Sequence, residues 1–114
     1  MVTRVEETNL AIAAEGIAKT TVKTEAEPGL SVLIIDDDRQ LCDRLTLELK
    51  ILGCRVHAAN TAEMALARCR DGGYQLALCD LQLGEESGLD LIPRLLAINP
   101  DLHITVLTAF ASYA

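Results

Sequence analysis

The chain has 114 residues, half of them hydrophobic, and a formal net charge of −7. That length fits no more than one domain, and the hydrophobic content excludes a disordered chain and permits a packed core. The negative charge argues against non-specific nucleic-acid binding. No apolar stretch is long enough for a membrane span, and no cationic leader precedes an apolar block. We therefore expect a cytoplasmic protein without direct contact to nucleic acid or membrane.

The first 29 residues differ from the rest of the chain. They mix Thr, Ala, Glu and Lys with weak hydrophobic periodicity, and they close on EAEPG at 25–29. Such a run of Pro, Gly and charged residues is typical of a linker. We predict a flexible N-terminal extension over residues 1–29 and a folded domain over residues 30–114.

Strand and helix patterns alternate from Leu30 onward. Strands are predicted over 30–35, 55–59, 75–79 and 103–107, and helices over 39–52, 62–71 and 89–98, with the start of a fourth helix over 109–114. Thr61 is a good N-cap for the second helix, and residues 81–87 are predicted to form a polar, acidic loop. In the first helix Leu41, Leu45 and Leu49 recur at helical spacing and form one apolar stripe. Short buried strands that alternate with helices predict an α/β fold with a parallel sheet and right-handed crossovers.

Carboxylates gather at one edge of this predicted sheet. The first strand runs directly into Asp36, Asp37 and Asp38, the third ends at Asp80, and the fourth ends at Thr108. The carboxyl ends of parallel strands lie at the same edge, where α/β proteins bind their ligands. Mg²⁺ prefers oxygen ligands and is often held by one or two carboxylates. An aspartate beside it could accept a phosphoryl group as a nucleophile, with the Thr108 hydroxyl as a hydrogen-bond partner.

Simpler interpretations exist for single residues. Three consecutive aspartates after a strand are also typical of a helix N-terminus, where negative charge is favourable. Cys79, beside Asp80, fits a small core residue better than a redox group, and the four cysteines contain no C-x-x-C pair. The combination of Asp80 and Thr108 at the other strand ends favours the metal and phosphoryl site over the helix start alone.

Three motifs give the chain a family resemblance. VLIIDDD at 32–38, LALCDLQLGEESGLDLI at 76–92 and ITVLTAF at 104–110 together resemble the receiver domain of two-component response regulators. The resemblance covers about residues 30–114. It implies a flavodoxin-like (CheY-like) doubly wound parallel sheet that is incomplete, with four strands, three helices and the start of a fourth helix.

The resemblance also implies a role for individual residues. Asp80 matches the phosphoacceptor, and Asp36 and Asp37 match the acidic pair that binds the metal together with Asp80. The backbone carbonyl of Gln82 would be a further metal ligand. Thr108 matches the switch residue that turns toward the phosphoryl group. Mg²⁺ is the implied cofactor.

Other positions match the family's pattern or depart from it. Asp38 is expected to cap the first helix, and Gly88 matches the glycine that opens the third. Gly84 stands where the family often has proline. The family's fifth strand, with its lysine, and its fifth helix have no counterpart here, so we expect a C-terminally truncated receiver domain. The strand at 103–107 is then expected to be an unpaired apolar edge.

The implied function is phosphoryl transfer from a sensor histidine kinase, or from a phosphotransfer protein, to Asp80. A receiver of this kind is not a conventional enzyme, because it catalyses its own phosphorylation and dephosphorylation. The expected consequence is the switching of an output domain outside this chain, in transcription regulation. A phosphorylation-dependent dimer is a further expectation.

Two alternatives remain open at this point. A degenerate receiver that only docks to a partner is favoured by the absent lysine. A haloacid-dehalogenase-type phosphatase would use Asp36 as its nucleophile, with Asp38 two residues on. Gln40 stands where those enzymes usually carry Thr or Val, and they need a longer chain with a later acidic pair.

Overall fold

The structure, a computed structural model, describes residues 29–107 and the backbone of residues 5–8. The strands, in chain order, are β1 (Val5–Thr8), β2 (Ser31–Ile35), β3 (Arg55–Ala59), β4 (Leu76–Asp80), β5 (Gln82–Leu83), β6 (Glu86–Ser87) and β7 (His103–Leu107). Five of them form a sheet in the order β1-β7-β4-β2-β3, with every neighbouring pair parallel. β5 and β6 form a separate antiparallel hairpin.

Helices cover both faces of the sheet. They are α1 (Arg39–Ile51), α2 (Ala62–Asp71) and α3 (Gly88–Ile98). Successive side chains of β2 point to opposite faces: Val32 packs in one cluster with Leu45 of α1, whereas Leu33 packs in another with Leu66 and Leu95 of α2 and α3. The predicted doubly wound α/β fold is confirmed. Within the described part of the chain, every helix is too short or too polar to cross a membrane.

The residue before each helix caps it: its side chain accepts a hydrogen bond from a backbone N–H group of the first turn. These N-cap residues are Asp38, Thr61 and Ser87. The caps at Asp38 and Thr61 were predicted from the sequence and are confirmed. Gly53 follows the end of α1 with φ of 95°, a left-handed conformation that glycine adopts without steric cost.

The cap of α1 is a testable feature. Asp38 Oδ1 accepts the N–H of Leu41 at 3.1 Å, and its loss leaves that donor without its cap. We expect Asp38→Ala to lower the free energy of unfolding by about 1 kcal/mol, measured by urea denaturation, and Asp38→Asn to change it little. An equal loss in both variants would contradict the capping role.

One edge of the sheet differs from the sequence-based expectation. The strand at 103–107 was expected to be an unpaired edge, and that expectation was wrong. β1 pairs in parallel with it, Val5 opposite Ile104 and Thr8 opposite Leu107. The four residues of β1 have no pattern of their own that predicts a strand, and pairing with an open edge supplies their hydrogen bonds.

Other sequence-based expectations fall on parts of the chain that are not described. These are the remainder of the N-terminal extension, at residues 1–4 and 9–28, and the start of a fourth helix over 109–114. The domain boundary at residue 30 stays a prediction. The segment 81–87, expected to be a loop, contains the β5–β6 hairpin, in which Leu83 is buried against the core.

Candidate functional site

Three aspartates meet at the carboxyl ends of two neighbouring strands. Asp36 and Asp37 directly follow β2, and Asp80 is the last residue of β4. β2 and β4 pair with Ile35 opposite Cys79, so the register brings Asp36 beside Asp80. One carboxylate oxygen from each of the three aspartates lies within 4.8 Å of the others. The structure thus brings together three of the residues that the sequence predicted as metal ligands.

Asp36 is the buried member of this cluster, with 4% of its surface exposed. Its backbone carbonyl accepts a hydrogen bond from Asn60 Nδ2 at 2.9 Å and one from the Cys42 thiol at 3.4 Å. Its carboxylate Oδ1 accepts the backbone N–H of Asp38 at 2.9 Å. Both the backbone and the side chain of Asp36 are therefore held in place.

The other two carboxylates are more accessible, and each accepts a hydrogen bond from the segment that follows β4. Asp37 is exposed, and its Oδ2 accepts the N–H of Gly84 at 2.9 Å. Asp80 is half-buried, and its Oδ1 accepts the N–H of Gln82 at 3.3 Å. The β5–β6 hairpin therefore contacts the cluster through its backbone.

Burial and mutual repulsion make two members of the cluster, Asp36 and Asp80, harder to ionise. The pKa of Asp36 is raised to about 6, by burial first and then by the charges of Asp80 and Asp37, while the N–H of Asp38 lowers it. The pKa of Asp80 is also raised, by burial first and then by the charge of Asp37, while the N–H of Gln82 lowers it. Carboxylates this close titrate as a coupled set.

The donor set fits a hard divalent cation. All three side chains offer oxygen, the ligand atom that Mg²⁺ and Ca²⁺ prefer. Mg²⁺ is usually bound by one or two carboxylates and keeps water or phosphate oxygens as its other ligands. A cation between the carboxylates would also offset the repulsion that raises the pKa of Asp36 and of Asp80. The residues present are therefore compatible with the predicted Mg²⁺ site.

Of the two remaining predicted site residues, Gln82 is described by the structure and Thr108 is not. Gln82 opens β5, two residues after Asp80, with an exposed side chain. The role of its backbone carbonyl as a ligand stays a prediction. Thr108 lies outside the described residues. The strand before it, β7, ends at Leu107 opposite Asp80, so the described register leads toward the cluster.

The structure adds three residues that the sequence analysis missed. Asn60 holds the backbone of Asp36, and Gly84 holds the carboxylate of Asp37. Glu86 Oε1 accepts the N–H of Ala62 at 3.2 Å and so ties the hairpin to the first turn of α2. Asn60 could have been found, because it follows β3 at the same sheet edge. The other two contacts depend on how the hairpin folds.

Cys79, the neighbour of Asp80, is poorly suited to act as a nucleophile. It is buried, and burial together with the charges of Asp80 and Asp36 raises the pKa of its thiol to about 12. A thiol with that pKa stays protonated at neutral pH and is a poor nucleophile. All four cysteines are buried, as was expected for Cys79. The aspartates therefore remain the candidates for the reactive group.

Comparison with known sequences gives one family. Residues 32–114 match the family described as response regulator receiver domain. Similar curated proteins include the transcriptional regulatory protein ZraR of Salmonella typhimurium, 34% identical over 83 residues. The DNA-binding transcriptional regulator NtrC of Azospirillum brasilense is 39% identical over 79 residues. The matches cover 73% and 69% of this chain but only 19% and 16% of those proteins.

Comparison with solved structures gives the same result. A response regulator from Burkholderia pseudomallei, with a phosphorylated aspartic acid, a calcium ion and citrate, aligns with a TM-score of 0.67 at 34% identity. The alignment covers 69% of this chain and 46% of that one. The response regulator TrrA of Thermotoga maritima, in complex with Mg²⁺-BeF, aligns at 0.66 and 28% identity, covering 74% and 73%.

Proposed function

Because the chain belongs to the response regulator receiver domain family, we propose that Asp80 accepts a phosphoryl group beside a Mg²⁺ ion held by Asp36, Asp37 and Asp80. The backbone carbonyl of Gln82 completes the protein's share of the ligands. Thr108 acts as the switch residue that responds to the new phosphoryl group. The donor is the phosphohistidine of a sensor kinase or of a phosphotransfer protein.

One observation carries the choice of Asp80 as the acceptor. Of the two carboxylates that adjacent strand ends bring together, Asp36 is buried and Asp80 is half-buried. Both carboxylates accept one backbone N–H, so burial is what makes Asp36 the less accessible of the two to an incoming phosphoryl group. This difference, with the family assignment, supports the receiver function over the phosphatase alternative, in which Asp36 would be the nucleophile.

The reaction follows from the proposed roles. A carboxylate oxygen of Asp80 attacks the phosphorus atom, the bond between phosphorus and the histidine nitrogen breaks, and the imidazole leaves with its electron pair and takes up a proton. When bound, Mg²⁺ supplies positive charge that offsets the charge on the transferring group. Asp36 and Asp37 hold their carboxylates beside Asp80, and the N–H of Gln82 orients the Asp80 oxygen that it contacts.

The biological output is proposed from the relatives. The matched proteins are transcriptional regulators, and this chain spans about a fifth of their length or less. We propose that the same domain in a longer protein controls a transcription-regulating output domain. In an acyl phosphate the phosphoryl group carries a charge of about −1.5 to −2 in place of the −1 of the free carboxylate, so the sheet edge becomes more negative and gains acceptor oxygens that change the surface such a partner contacts.

The phosphoryl acceptor can be tested with acetyl phosphate as the donor. We expect wild type to gain the mass of one phosphoryl group in the presence of Mg²⁺ but not in EDTA, and Asp80→Asn to gain none. Asp101→Asn, an exposed aspartate in a turn, is the matched control and should behave as wild type. Intact-mass spectrometry measures the incorporation, and peptide mapping places it.

Each other outcome has a defined meaning. A phosphoryl group mapped to Asp36 would support the phosphatase alternative. No incorporation in wild type at any Mg²⁺ concentration would support a domain that only docks. Incorporation that persists in Asp80→Asn would contradict Asp80 as the acceptor.

A further inference from the structure

One hydrogen bond joins the acidic pair to the segment that follows the proposed acceptor. The backbone N–H of Gly84 donates to Asp37 Oδ2 at 2.9 Å, across 47 positions of sequence. Asp37 is exposed, so packing alone does not fix the direction of its side chain. Hydrogen bonds to an ionised carboxylate are shorter and stronger than neutral ones. Of the contacts described for this carboxylate, this one sets its orientation.

The turn conformation of this chain favours glycine at position 84. Leu83 pairs with Glu86, so Gly84 and Glu85 are the two central residues of the turn. Gly84 has φ of 60°, whereas Glu85 does not have a positive φ. Glycine first, with a positive φ at that position alone, is typical of a type II′ turn, which fits a two-residue hairpin. A Cβ at Gly84 would approach Asp37 Oδ2 no closer than 4.0 Å, so conformation rather than space selects glycine.

The hairpin is itself anchored on the folded domain. Glu86 accepts the N–H of Ala62, and the N–H of Gly88 donates to the carbonyl of Leu81 at 2.7 Å. Leu83 packs in the core cluster. The N–H of Gly84 therefore projects from a fixed support rather than from a loose loop, and it engages only one of the two oxygens of Asp37.

We infer that Gly84 is a positioning residue, whose backbone N–H holds Asp37 beside Asp36 and Asp80 so that its free oxygen can bind the cation. The inference rests on the proposed function for the identity of the cation site. In this role Gly84 contacts neither the cation nor the phosphoryl group. Its effect passes entirely through the orientation of Asp37, and so it disappears when Asp37 is removed.

The test compares two variants that differ in the N–H group. Gly84→Pro removes the donor, and we expect it to raise the Mg²⁺ dissociation constant roughly tenfold, the scale of one charge-assisted hydrogen bond at an exposed site. Gly84→Ala keeps the donor and should bind Mg²⁺ nearly as wild type does. Isothermal titration calorimetry measures the affinity, and far-UV circular dichroism checks the fold.

Gly73 supplies the matched control for strain. It has φ of 89°, and a Cβ there would meet nothing within 4 Å. Gly73→Pro and Gly73→Ala make the same two substitutions at a second position of positive φ, away from the cluster. At both positions proline forces the backbone to change, because its ring fixes φ near about −65°. We expect both to leave the Mg²⁺ affinity unchanged. A loss of affinity in Gly73→Pro equal to that in Gly84→Pro would overturn the inference, since general strain would then explain both.

A double-mutant comparison separates positioning from disruption. In an Asp37→Ala background, Gly84→Pro should cause no further loss of Mg²⁺ affinity. A further tenfold loss there would overturn the inference, as would tighter binding in Gly84→Pro alone, which would mean that the hydrogen bond restrains Asp37 away from the cation. Failure of wild type to bind Mg²⁺ would instead overturn the proposed function, so the two failures are distinguishable.

Discussion

Asp36→Asn is expected to stabilise the metal-free domain at pH 8, although it removes a proposed metal ligand. The reason is the cost of ionising a carboxylate that is 4% exposed and lies next to other aspartates. The amide keeps an oxygen that can accept the N–H of Asp38, as Oδ1 of the carboxylate does. We expect the free energy of unfolding to rise by on the order of 1–3 kcal/mol, measured by urea denaturation in EDTA.

The pH dependence gives the sign of this effect. The pKa of Asp36 is about 6 in the folded protein, above its ordinary value of 3.8, so the folded state holds the proton more tightly than the unfolded chain. The contribution of this group to stability is therefore fully present below about pH 4 and is lost as the pH rises through about 6. Near pH 4 we expect Asp36→Asn and wild type to be similar in stability.

The matched control is Asp101→Asn, at an exposed turn position. It should change the stability little at either pH. Addition of Mg²⁺ should reverse the order at pH 8, because a ligand that binds only the folded state stabilises it by an amount that grows with the logarithm of its concentration over the dissociation constant, and wild type binds Mg²⁺ more tightly. A destabilised Asp36→Asn in EDTA at pH 8 would contradict the interpretation that ionised Asp36 is costly.

Gly88→Ala is expected to cause a large loss of stability, about 3 kcal/mol, the upper part of the range for overpacking. A Cβ at this position would lie 2.0 Å from the carbonyl oxygen of Asp80 and 2.9 Å from Cα of Leu81. Both neighbours are backbone atoms and cannot move aside as a flexible side chain would. The N–H of Gly88 also donates to Leu81 at 2.7 Å, which keeps the two segments together.

Gly73→Ala is again the control, because it adds the same methyl group at a position with open space. Its positive φ should cost roughly 1–2 kcal/mol, less than the steric conflict at Gly88. Urea denaturation at pH 7 measures both variants. A smaller loss in Gly88→Ala than in Gly73→Ala would show that the backbone at Asp80 tolerates the extra atom. If the added methyl group of Gly88→Ala instead displaces the backbone at Asp80, Mg²⁺ binding should also weaken.

The sequence predicted the architecture because its signals are local. The apolar run before Asp36 and the stripe of Leu41, Leu45 and Leu49 each report burial within a single strand or helix. Alternation of such elements restricts the connections to parallel strands joined by right-handed crossovers. That restriction alone brings Asp36 and Asp80 to one sheet edge, and the structure places their carboxylate oxygens together.

Other features depend on contacts between distant segments. The pairing of β1 with β7 joins Val5 to Ile104, and no local pattern in the first residues predicts that partner. The hydrogen bond from the Gly84 N–H to Asp37 requires a particular turn conformation and an anchored hairpin. The sequence predicted only a loop over 81–87, so neither feature was expected. Asn60 is an intermediate case. Its position at the end of β3 could be predicted from the sequence, but its hydrogen bond to the carbonyl of Asp36 could not.

Strand periodicity and the direction of parallel crossovers are set by neighbouring residues, so the order of amino acids is enough to predict which side chains come to the sheet edge. How those side chains are held depends on the packed chain. Asp36 is buried and costly to ionise, Asp37 is oriented by Gly84, and Asp80 stays half-exposed beside them. Burial and hydrogen bonding between segments separated by about 40 residues arise only when the chain has packed.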